Sequence, residues 1–167
     1  MHRNFTPAHA KTLRQEMVVS LLFNAVIIPL ILWLLGAPAP QTLFGPGTVL
    51  AALVPGAAAA TFMMTIVVTT IVRARVSKGS LPAYDWPRSE RGMYRFVPEK
   101  LLLRAMMLAG VAAIILVPTG LVAVAASGLL PFTKIGAIAF NVLYGIAVAL
   151  LMTRVVVLSA LADRAVK

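Results

Sequence analysis

The chain contains no cysteine and only two histidines, His2 and His9, both placed before the first apolar stretch. Disulfides, thiolate metal sites and cysteine nucleophiles are therefore excluded. A haem or di-metal centre inside a bilayer would need ligands that the apolar stretches lack. Carboxylates are almost as scarce. All five, Glu16, Asp85, Glu90, Glu99 and Asp163, lie outside or at the edges of the apolar stretches, so none stands in mid-span to relay protons. A nucleophile, base and orienting group cannot be assembled without His or Cys near the bilayer. No glycine-rich loop runs into a Lys-Ser or Lys-Thr pair to cradle phosphate. Neither a cofactor nor an enzymatic activity is expected.

Apolar residues fill the space left by these absences. They make up 60% of the 167 residues, against 12% charged, where a soluble domain carries about a quarter charged. A soluble fold of this size could not hide so much apolar surface, and a bilayer must cover part of it. The 15 Lys and Arg give a net charge of +10. In a soluble chain this would point to nucleic acid. Here the cations flank the apolar stretches, as residues that hold cytoplasmic helix ends and meet anionic lipid headgroups do, so nucleic acid is not expected as a partner.

Four apolar stretches divide the chain. Residues 1–16 form a basic segment in which Thr6-Pro7 reads as a helix start, Thr6 as N-cap and Pro7 at the first helical position. A first transmembrane hairpin covers 17–72, with its turn in the uncharged 37–47, which holds Pro38, Pro40, Gly45, Pro46 and Gly47. The stretch Met17–Gly36 is too long for a signal-peptide core and is read as a retained helix, kinked at Pro29. Residues 73–100 form a basic cytoplasmic loop, 101–161 a second hairpin turning at 127–133, and 162–167 a cytoplasmic tail. The fold class expected is all-α, with four transmembrane helices as two helical hairpins. Every Lys and Arg except Lys134 falls in the N-terminal segment, the central loop with its helix ends, or the C-terminal end. The positive-inside rule then places both termini in the cytoplasm, in a bacterial inner membrane.

The two hairpins resemble each other. Met64-Thr65-Ile66-Val67-Val68 matches Met152-Thr153-Arg154-Val155-Val156 at an offset of 88, and Pro29 matches Pro118 at 89. A tandem 2+2 repeat in one orientation would have a pseudo-two-fold axis along the membrane normal. The other reading is chance recurrence of short Val/Met/Thr strings, and two matches leave both open.

Three groups of residues are candidates for function. Small residues recur along single helix faces at Ala52, Gly56 and Ala60, and at Ala137, Gly145 and Ala149. Such faces let backbones approach closely, as packing within the bundle or as an oligomer interface. Asn24, Asn141 and Tyr144 are polar groups inside the apolar stretches, and Arg154 is a cation two turns from the cytoplasmic end. The amides suit interhelical hydrogen bonding, and Arg154 suits snorkelling to the headgroups; together they could also form an intramembrane polar site. In the central loop, Arg88, Arg91 and Arg95 beside Trp86 suit contact with anionic lipid or a partner. The function expected is that of a non-enzymatic accessory, structural or assembly subunit of a membrane complex, or of a homo-oligomer. The alternative is an oligomeric transporter or channel for a lipid or a small hydrophobic or anionic molecule.

Overall fold

The computed structural model describes residues 6–34, 49–82, 94, 96–128 and 130–163. Among these the regular structure is helical throughout: α1 (Pro7–Leu22), a π-helical segment (Phe23–Ile27), α2 (Ile28–Leu34), α3 (Val49–Ser77), α4 (Leu101–Ser127) and α5 (Lys134–Leu161). The sequence predicts four membrane crossings. Three described helices are long and apolar enough to make one, namely α4, α5 and the Gly56–Ser77 part of α3. The first apolar stretch does not form one unbroken α-helix. Pro29 has no N–H to donate and its ring crowds the carbonyl four residues back, and the chain widens into a π turn immediately upstream of it. The turn at 37–47 lies outside the described residues.

Local signals account for the helix ends. Thr6 is the N-cap of α1 and Pro7 its first residue. Lys100, extended, precedes α4, and Gly128 ends it with φ +64°, a left-handed conformation that glycine adopts without a Cβ penalty. The Thr133 hydroxyl accepts the Gly136 N–H at 3.0 Å and opens α5.

Packing does not follow the hairpins. α3 packs most extensively against α4 and next against α5, α1 packs against α5, and the chain neighbours α4 and α5 touch only briefly. The lateral order is therefore α1, α5, α3, α4, with α3 and α5 central and parallel. Towards the end away from the basic one, Val49, Leu53 and Ala57 of α3 meet Val117 and Val124 of α4, with Phe132 and Ala137. Towards the basic end, Val68 and Val72 meet Leu108, Ala112 and Leu116 of α4 and Val148, Met152 and Val156 of α5.

Gly120 sets the spacing where α4, α3 and α5 meet. A Cβ built there would stand 2.9 Å from both Leu53 Cδ1 and Tyr144 Cε2. Gly56 is the opposite case, exposed and with nothing within 4 Å. Gly120→Leu is therefore expected to destabilise the bundle by about 1–3 kcal/mol through overpacking, while Gly56→Leu leaves its stability unchanged. Melting of the two variants in detergent checks this.

Candidate functional site

Apart from Lys134 at the start of α5, the described charged side chains gather towards the end where α1 begins, α3 ends, α4 begins and α5 ends. Arg104, in the first turn of α4, is only 1% exposed at its side chain. Its Nη1 donates to Asp163 Oδ2 at 3.0 Å, its Nη2 donates to Asp163 Oδ1, and its Nε donates to the Pro98 carbonyl at 2.9 Å. The guanidinium and carboxylate thus meet fork to fork, the strong form of this pair. Arg73, at the end of α3, approaches Asp163 from another side, its Nε donating to Oδ2 at 2.8 Å and its Nη2 to the Glu99 carbonyl. One carboxylate just beyond α5 therefore joins α3, α4 and the segment leading into α4.

A second ion pair holds α1. Arg75 Nη1 lies 3.2 Å from Glu16 Oε1; the acid is 6% exposed at its side chain and the arginine 39%. Nearby, His9 is buried. Its Nδ1 accepts the Thr6 N–H at 3.1 Å, which leaves Nε2 as the donor to the Pro82 carbonyl at 2.8 Å. The start of α1 is thereby fastened to the turn that follows α3.

The amides of the apolar stretches bond to the helices they sit on, whereas the Ser20 hydroxyl of α1 donates to Met64 Sδ of α3 at 3.8 Å. Asn24 Nδ2 donates to the Ser20 carbonyl and Asn141 Nδ2 to the Ala137 carbonyl, each at 2.8 Å. Thr65 donates to the Thr61 carbonyl at 2.7 Å. The α3–α5 seam carries one bond between helices, from the Thr153 hydroxyl to Met64 Sδ at 3.1 Å. The hydroxyls of Thr61, Thr69 and Tyr144 are buried without a partner.

The residues singled out in the sequence do not converge on one site. Asn24 lies against Gly145, where a Cβ would come within 2.6 Å of Asn24 Oδ1. Tyr144 faces another way, towards Gly120, stacked with Phe140 at 5.9 Å between ring centroids. Arg154 is exposed, about 15 Å along α5 from Tyr144 at 1.5 Å per residue. The two small-residue rows separate as well. Ala137 and Ala149 are buried and Gly145 is half-buried under Asn24, whereas Gly56 and Ala60 face outward. The side chain of Ala52, and Trp86, Arg88, Arg91 and Arg95, lie outside the described residues. No group of three or more His, Asp or Glu able to hold a metal occurs among the described residues.

Sequence reasoning passed over Arg104, Asp163, Glu16, Arg73, Arg75 and His9 as ordinary flanking charge. A signal was present, since the repeat offset carries Glu16 onto Arg104 and Arg75 onto Asp163. Removing one partner of a buried ion pair leaves the other charge uncompensated, at about 3–5 kcal/mol. Asp163→Ala is expected to cost that much, and Arg154→Ala almost nothing. Unfolding of the purified variants in denaturant measures both. No family model, no curated protein and no solved structure matches the chain.

Proposed function

We propose that the protein is a non-enzymatic accessory or assembly subunit of a membrane complex, built as four transmembrane helices in two hairpins. In this reading its basic end faces the cytoplasm of a bacterial inner membrane, as the distribution of Lys and Arg favours. One observation carries the role. The amides Asn24 and Asn141 bond to their own helices, while Gly56 and Ala60 of α3 are turned away from the bundle. Gly56 and Ala60 share an outward face with Met63, Val67 and Ile71. A glycine and an alanine four residues apart, with large apolar side chains continuing the same face, let another helix approach closely in lipid. The occupant proposed is a transmembrane helix of a partner subunit.

The expected result is that Gly56→Leu releases the partner while the isolated protein keeps its melting temperature. The measurement is the mass and composition of the complex extracted gently from its own membrane. A Gly56→Leu protein that still extracts with its partner in full stoichiometry would defeat the reading. A homo-oligomer carrying a small molecule would favour transport instead.

Anionic lipid is the second partner proposed. α1 is flanked at its basic end by two grooves, of about 450 Å³ and 410 Å³. The first is lined by Arg14, Gln15, Glu16, Val18, Val19 and Arg75, and the second chiefly by apolar side chains from Leu13 to Leu21, with Leu150. Arg14 and Val18 border both. A cation above apolar walls matches a phosphate headgroup above its acyl chains. Arg14→Glu is expected to reduce retention of anionic phospholipid several-fold and leave zwitterionic lipid unchanged, as read by native mass spectrometry in defined lipid mixtures.

A further inference from the structure

The two ion pairs stand in one numerical relation. Glu16 and Arg104 are 88 positions apart, and so are Arg75 and Asp163. Each pair joins corresponding places: a buried side chain in a helix that rises from the basic end, and one at the end of the helix that returns to it. The signs are exchanged. The first half has the acid on its rising helix and the arginine on the returning one, and the second half has the reverse.

Burial repeats with the same offset. Eight residues are buried among those described on α3; for six of them, Val49, Thr61, Thr65, Val68, Thr69 and Val72, the residue 88 further on is buried on α5, and the counterparts of Leu53 and Ala57, Asn141 and Gly145, are half-buried. Packing repeats too. α4 lies on α3 as α1 lies on α5, and α3 lies on α5. That is the contact set of a two-fold axis running between α3 and α5, under which α1 maps onto α4 and α3 onto α5. The bond from Thr153 to Met64 falls on the seam, and Thr153 and Met64 are each the neighbour of the other's counterpart. Chance recurrence of Val/Met/Thr strings explains none of these three, since it places no constraint on charges, burial or packing order.

We infer that the protein consists of two copies of one helix-pair unit joined in tandem, and that a charge-exchanged ion pair closes the basic end of each copy. The exchange gives the ends an address. Each rising helix packs beside the other copy's returning helix, and those neighbours would bring Glu16 to Asp163 and Arg104 to Arg75, like charge to like. Among the pairings of a rising helix with a returning one, only that within a copy brings these opposite charges together. Arg73 then ties the copies to each other through Asp163.

The test uses the full chain and requires no partner, so it stands or falls separately from the subunit role. Glu16→Arg and Arg75→Asp, singly, are expected to lower the melting temperature in detergent by roughly 5–10 °C. Combined, they give the first half the polarity of the second, and most of the loss is recovered. A double variant as unstable as the two losses added would overturn the inference. The axis is tested on its own by cross-linking, for which the absence of native cysteine is convenient. The pair Met64→Cys with Thr153→Cys is expected to oxidise to a disulfide, and the symmetry-related pair Thr65→Cys with Met152→Cys to do so with comparable yield. A cross-link at the first pair and none at the second would overturn it as well.

Discussion

The fold depends on a guanidinium that has no access to water. Arg104 stands in the first turn of α4 with its side chain almost wholly enclosed, and a charge so placed is tolerable only when paired and hydrogen-bonded. Asp163 supplies both oxygens, and the Pro98 carbonyl takes a further N–H. Because Asp163 lies beyond the last turn of α5 and also receives Arg73, satisfying one cation fixes the relative height of α3, α4 and α5. Apolar contacts in lipid could not do this alone, since helices that exchange lipid for protein neighbours gain little from sliding to one register over another.

The interleaved order of helices has a related cause. α3 presents small and β-branched side chains on its buried flanks, among them Ala57, Thr61, Thr65, Val68 and Thr69, which permits two neighbours at close range. α1, with few buried residues and a π segment in its path, has one main neighbour, α5. The gap that this leaves beside Arg75 is one of the two grooves on α1.

Much of this was legible in the sequence, and what was not has a physical reason. The Thr6-Pro7 start, the beginning of α5 at Lys134 and the end of α4 near Gly128 follow from capping chemistry that is local to the chain. The disturbance near Pro29 follows from a missing N–H. Which face of each helix turns inward was not legible, because lipid and protein interior are equally apolar and no polar face marks the outside. Gly56, Gly120 and Gly145 therefore read alike in sequence, yet one is open, one stands at a three-helix contact and one lies under Asn24. Arg104 was hidden for the opposite reason: a cation near the basic end of a helix has an ordinary explanation in the headgroups, and only its partner shows that it points inward. α3 runs further than its apolar stretch, to Ser77, since arginines at a helix C-terminus complement the dipole and do not end the helix.

The two ends of the bundle are consequently held by different forces. The basic end is held by ion pairs and by His9 on the Pro82 carbonyl, interactions that are directional and lose strength steeply with displacement. The opposite end is held by side-chain packing around Gly120, by the rings of Phe132, Phe140 and Tyr144, and by Lys134 over Trp33 at 4.6 Å. Contacts of that kind yield gradually and can repack around a change in shape. The outward small-residue face of α3 at Gly56 and Ala60 belongs to this second region. A helix arriving there can be accommodated by shifts of packed side chains, while the charged network sets the register of the whole and is left undisturbed. Rigidity and the surface proposed for a partner are thus separated along a single helix, with α3 contributing its arginines to the first and its glycine to the second.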